Sequence, residues 1–136
     1  MSPLKFIEKS LEIYQPQKKL KTIIGVSSVA GDRGKKENLI YSSSKAGFSN
    51  YLDGLRQKLY ATDIHVITVK PGWIATKMTK NLNLPKFMTT NVDFAGKKIF
   101  KSFKTKKNTV YVPGYWSIIM FIYKMIPEVL FKIFTK

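Results

Sequence analysis

Two apolar runs, TIIGVSS at residues 22–28 and IHVITVK at residues 64–70, constrain this chain more than anything else in it. Both are rich in β-branched residues, and their apolar character is continuous, as in strands covered on both faces. About 35 residues lie between them, far more than a hairpin needs and enough for the helical crossover that joins parallel strands. Helical patterns over residues 41–61 and 92–104, and a third short strand over 109–112, continue the alternation. An N-terminal helix opens on Ser2 and Pro3, a capping residue followed by proline at the first helical position, with Leu4, Ile7, Leu11 and Tyr14 at helical spacing. The expectation is an α/β architecture with a parallel sheet. Three strands are few for such a sheet, and one edge should remain open to further pairing.

Ligands of open parallel sheets bind beyond the carboxyl ends of the strands. Ser28 closes the first run and Pro71-Gly72 follows the second, so both fall on one rim. The next helix carries Tyr41 and Lys45, which at i and i+4 share a face. An ammonium beside a phenol favours the phenolate, and a serine hydroxyl at the adjacent strand end can hold a carbonyl oxygen. A proton donor, its tuner and a substrate orienter suit the interconversion of ketone and alcohol. A tyrosine four residues before a lysine is common on exposed helices, so the pair gains meaning only from its surroundings.

Those surroundings are specific. IIGVSSVAG, YSSSKAG and VITVKPGWIATKMT, in this order and spacing, resemble the short-chain dehydrogenase/reductase family over residues 20–79. The resemblance implies the C-terminal half of a Rossmann-type, doubly wound parallel sheet. It further implies that Ser28, Tyr41 and Lys45 are the catalytic serine, the general acid/base and the lysine that tunes it and hydrogen-bonds the nicotinamide ribose. Tyr41, Lys45, Pro71, Gly72, Ile74 and Thr76 would then contact the cofactor, NAD or NADP, and the substrate would be a small carbonyl or alcohol. The runs SVAGDRGKKENLIY and KAGFSNYLDGLR, with the C-terminal YVPGYWSIIMFIYKMIPEVLFKIF, are similar to the branch containing decaprenylphosphoryl-2-keto-ribose reductases. That points to a keto-sugar, or one carried on a lipid. Residues 77–90 form the stretch that shapes the substrate pocket, and nothing in them names the substrate.

The family's cofactor half begins with a strand, a glycine-rich TGxxxGIG turn and a helix whose N-terminus receives the pyrophosphate. No such segment occurs here, and Gly31-Asp32-Arg33-Gly34 follows the serine strand instead. No asparagine precedes Ser28 either. The resemblance therefore implies that the nucleotide-binding N-terminal half is absent, with Met1 an internal methionine read as a start, or the gene truncated or split. Such a chain should expose an apolar sheet edge, bind NAD(P)H poorly and turn over nothing alone. Its partners would include the missing half or a second copy, since helices like the one carrying Tyr41 commonly form dimer interfaces in proteins it resembles.

Residues 1–112 read as the catalytic half-domain and 113–136 as a helical tail. From Tyr115 to Phe134 only Lys124, Glu128 and Lys132 are charged, Ile118, Ile119, Ile122, Met125, Ile126, Val129 and Ile133 mark an apolar face, and Pro127 should kink or restart the helix. The apolar portion is short for a membrane span. Two readings stay open: a helix lying in an anionic lipid interface, and a helix packed on the protein itself or a partner. The second functional class is accordingly a membrane-associated module that keeps the fold without catalysis. The net charge of +16 comes from 24 basic residues against 8 acidic ones. All the basic residues except Arg33 and Arg56 are lysine, which speaks against base-specific nucleic-acid recognition. There is no cysteine and one histidine, so no metal site is expected. With no signal peptide in the N-terminal residues, the location expected is cytoplasmic, either free or peripheral at the inner membrane face.

Overall fold

The computed structural model describes residues 2–77, 79 and 85–134. Helix α1 (Pro3–Tyr14) starts as its sequence dictates: the Ser2 hydroxyl accepts from the Lys5 amide, and Pro3 occupies the first turn. Its buried residues, Ile7 and Leu11, are one turn apart.

Strands β1 (Thr22–Val26), β2 (His65–Pro71) and β5 (Thr109–Val112) form one parallel sheet in the order β1-β2-β5. Ile24 pairs with Ile67 across the first ladder and Val69 with Val110 across the second. Each crossover contains a helix, α2 (Leu39–Lys58) between β1 and β2, and α3 (Val92–Lys104) between β2 and β5. Residues alternate across β2 and so face different helices. Val66 joins Leu52, Leu55 and Leu59 of the α2 segment, with Ile7 and Leu11 of α1, in one core. Ile67 and Val69 join Ala95 of α3 and Val112 of β5 in another. β2 is therefore covered on both faces, which explains its continuous apolar run. Gly25 lets α2 settle close over β1, because a Cβ there would stand 2.2 Å from Leu52 Cδ1. Arg56 of α2 reaches across to the Val66 carbonyl, the Thr68 hydroxyl and the Asn108 carbonyl, tying helix, β2 and the start of β5 together.

Among the described residues β1 pairs on one side only, and Ile24 and Val26, on the face away from α2, stay exposed. That is the open edge expected from three strands. A parallel pair not anticipated from sequence, β3 (Trp73–Ile74) with β4 (Thr89–Thr90), lies beyond β2. Each of its strands has two residues, too few to show any periodicity. The chain after β5 folds as α4 (Trp116–Met125) and α5 (Glu128–Phe134), and the break falls at Pro127 as expected.

Candidate active site

The strand expected to run to Ser28 ends at Val26. Ser27 keeps one ladder bond, its amide donating to the Val69 carbonyl at 2.8 Å. Ser28 instead starts a 3-10 turn over Val29–Gly31, its hydroxyl oxygen accepting from the Ala30 amide at 3.1 Å. A capping serine leaves the ladder because its side chain takes over an amide that would otherwise have no acceptor. The same hydroxyl lies 3.5 Å from the Pro71 carbonyl oxygen, the acceptor for its proton. The serine strand end and the Pro71-Gly72 turn thus meet on one rim.

Helix α2 is pinned against this rim. The buried Ser27 hydroxyl donates to the Lys45 carbonyl and lies 2.7 Å from Ser49 Oγ. Gly31 packs directly on the helix backbone, where a Cβ would come within 2.7 Å of the Lys45 carbonyl carbon. Tyr41, on the first turn of α2, is half-exposed. Lys45 Nζ stands 5.7 Å from the centre of its ring and donates to the Val26 carbonyl at 3.2 Å. Lysine and tyrosine therefore share the face expected from their spacing, and the lysine is held to the end of β1.

Gly72 ends the rim, its amide donating to the Val112 carbonyl at 2.9 Å. Its missing side chain makes room for an indole, since a Cβ would fall 2.0 Å from Trp116 Nε1. That indole nitrogen is buried and has no hydrogen-bond partner. Ile74 pairs with Thr90 in the small β3–β4 ladder. Thr76 is exposed, and its amide donates to the Thr79 hydroxyl at 2.9 Å. Of the stretch expected to shape the substrate pocket, residues 78 and 80–84 lie outside the described residues.

Beneath the rim lies a cluster that sequence reasoning did not single out. Asp32, which follows the serine turn, is paired with Lys70 at the end of β2 and accepts from the Tyr111 hydroxyl of β5 at 2.6 Å. The Asp32 side chain is 2% exposed and that of Lys70 13%. Burial, and then the bond to the Asp32 carboxylate, push the Tyr111 hydroxyl far above the ordinary tyrosine range. A signal was present: a lysine closing an apolar strand in a chain with only 8 acidic residues demands a shielded counter-charge. Next to Asp32, Arg33 donates to the carbonyls of Tyr123 and Ile126 at the end of α4 and lies 3.8 Å above the Phe131 ring.

The arrangement fits the nicotinamide end of a dinucleotide. The Lys45 ammonium has one carbonyl partner and keeps donors for a ribose diol beside the half-exposed Tyr41. Gly31, which follows the serine strand, is packed against helix backbone and leaves no room for a phosphate there. Among the described residues, no three His, Cys, Asp or Glu side chains come together as a metal site would need.

Comparison with known proteins bears on the family and the fold. Residues 5–86 match the family described as short chain dehydrogenase. An oxidoreductase of Streptomyces coelicolor is 32% identical over 111 residues, which is 82% of this chain and 43% of that protein. A short chain dehydrogenase from Burkholderia cenocepacia, solved in complex with NADP, superposes with a TM-score of 0.64 at 25% identity, over 77% of this chain and 45% of that one. A 4-hydroxyisoleucine dehydrogenase solved with NADH shares the fold, with a TM-score of 0.68 at 17% identity over 85% of this chain and 55% of that one. The chain thus spans less than half the length of the Streptomyces relative.

Proposed function

The chain belongs to the short-chain dehydrogenase family, and we propose that it carries the proton-transfer and substrate-holding residues of a nicotinamide-dependent carbonyl reductase or alcohol dehydrogenase. The observation that carries this reading is the convergence on one rim of Ser28, capped and turned toward Pro71, with Tyr41 and Lys45 on the helix that Ser27 and Gly31 hold in place. When bound, NAD or NADP supplies or takes up the hydride.

In the reductive direction the Ser28 hydroxyl, whose bond to the Pro71 carbonyl is long, turns to donate to the substrate oxygen and fixes its position. The Tyr41 hydroxyl gives its proton to that oxygen as negative charge develops there. The phenolate left behind is stabilised by the ammonium of Lys45, which the Val26 carbonyl holds beside the ring. Oxidation runs the same steps in reverse. Gly72 and Ile74 follow β2 beyond the rim, the first against Trp116 and the second packed beside Ile67 and Val69, and Thr76 lies exposed beyond them. The similarity of the loop after Ser28 and of the tail to keto-sugar reductases supports a keto-sugar as the substrate, including one carried on a lipid.

The pyrophosphate and adenine end is held by residues outside those described here. Supporting this are the unpaired edge of β1, with Ile24 and Val26 exposed, and the share of the Streptomyces relative that the chain spans. The isolated chain is accordingly expected to hold NAD(P)H weakly and to show no turnover. The test is to read the source locus upstream of Met1, express whatever cofactor half it encodes joined to this chain, and follow NAD(P)H absorbance with a panel of ketones and keto-sugars. Tyr41→Phe should lower turnover by about 10²–10⁴-fold. Near-unchanged activity in that variant would remove the assigned role.

A further inference from the structure

Helix α4 has two unlike faces. Trp116 and Met120 are buried against Val29, the residue after Ser28, with Ile119 and Tyr123 partly buried beside them. On the other side Ile118, Phe121, Ile122 and Met125 are all more than half exposed, at the i, i+3, i+4 and i+7 spacing of one continuous stripe. Helix α5 adds Val129, Leu130 and Ile133, exposed in turn. The charges in this stretch are few, and Glu128 and Lys132 neutralise each other across one turn at 2.8 Å.

The two helices are mounted on the body and not loosely attached. Arg33 donates to the carbonyls of Tyr123 and Ile126, the last of them at 2.7 Å, where the end of α4 presents its negative pole. Its guanidinium also covers the Phe131 ring of α5, and Lys35 Nζ lies 5.1 Å from the centre of Tyr123. Tyr123 and Phe131 meet edge to face at 5.2 Å. The apolar stripe is therefore a built surface, far larger than scattered exposed side chains require.

Charge decides what covers it. The chain bears +16, nearly all of it as lysine, and Lys97, Lys98, Lys101 and Lys104 are exposed along α3. Two copies would bring like charges together, whereas an anionic lipid surface is complementary. Among the described residues no helix is long and apolar enough to cross a membrane, so the stripe suits the interface plane and not the interior. We propose that α4 and α5 dock the protein flat on an anionic bilayer. The helix that rests on lipid is also the one whose inner side meets Val29 and Gly72, so docking brings the rim carrying Ser28 close to the lipid surface.

Vesicle flotation of the full chain tests this without reference to catalysis, and it separates bound protein from aggregates, which do not float. Phosphatidylglycerol-containing vesicles should carry the chain upward, pure phosphatidylcholine vesicles should carry little, and added salt should release it. Ile118→Glu with Ile122→Glu should lower the floated fraction about tenfold or more while the circular-dichroism melt stays in place, since both side chains already face solvent. Equal flotation with both lipids, or an unaffected double variant, overturns the proposal. So does a stable dimer in light scattering that the double variant splits, which would make the stripe an interface between copies.

Discussion

Asp32 and Lys70 form the one ion pair, among the described residues, in which both side chains are shielded from solvent, and Tyr111 closes it from β5. The pair joins the turn that Ser28 caps to the residue before Pro71-Gly72, so it fixes the relative position of the two strand ends that make the rim. Removing one charge leaves the other buried without compensation, which costs more than the pair contributes. Asp32→Asn is expected to lower the unfolding free energy by about 3 kcal/mol. Tyr111→Phe, which removes a donor and leaves the pair intact, should cost nearer about 1 kcal/mol. Urea denaturation of the two variants checks the order, and equal costs would show that the ion pair does not hold the rim.

Gly72 and Trp116 make a second tight relationship. A methyl at position 72 would overlap the indole, which also meets Trp73 edge to face at 5.3 Å. Overpacking of this kind costs about 1–3 kcal/mol. Gly72→Ala is expected to destabilise by that amount and to change tryptophan fluorescence as the ring moves. Adding Trp116→Leu to Gly72→Ala should recover part of the loss, because the smaller side chain vacates the contested space. If the double variant is no more stable than Gly72→Ala alone, the clash lies elsewhere.

What could be read from sequence follows the range over which each cause acts. The strands were legible because both faces of β2 are buried, which leaves an uninterrupted apolar run. Tyr41 and Lys45 were legible as neighbours because helical geometry alone brings i and i+4 together. The Asp32 cluster was not, since its partners lie 38 and 79 residues away and only the finished sheet unites them. Arg33 likewise meets the end of α4 across 90 residues. The departure of Ser28 from the ladder was hidden for a different reason: a serine after a strand can continue it or cap the turn, and the packing of Gly31 on α2 favours the turn. Glycine 72 read as part of a strand-ending turn; that its bare side receives an indole from α4 depended on where the tail folds back.

Lys45 offers a test of the proton-transfer reading that a purely structural role would not satisfy. In the polypeptide with its cofactor half, Lys45→Met removes the ammonium beside Tyr41 and the bond to the Val26 carbonyl. Turnover is expected to fall by about a hundredfold or more. The loss should fall on kcat far more than on the KM for substrate, while the circular-dichroism melt stays in place. Lys45→Arg keeps the charge and should restore part of kcat. A lower rate that comes with a lost melting transition would assign Lys45 to holding the helix and not to the proton transfer.

Stability at high pH is set by two tyrosines that donate to carboxylates. Burial, and then its bond to Glu8 at 2.6 Å, push the Tyr51 hydroxyl up to about 12, and Tyr111 is displaced further in the same direction. A phenol raised in the folded state contributes stability that is complete below the ordinary value of 10.0 and is lost as pH climbs through the folded value. The unfolded chain ionises first and is favoured by doing so. Urea midpoints should therefore hold level up to about pH 9 and then decline steadily toward pH 12. Tyr111→Phe with Tyr51→Phe should begin from a lower midpoint at neutral pH and decline less steeply above pH 10, since neither ring can then release a proton on unfolding. An equally steep decline in the double variant would assign the alkaline loss to other groups, Tyr123 first, whose hydroxyl is also pushed up by burial, and these two bonds would have no part in it.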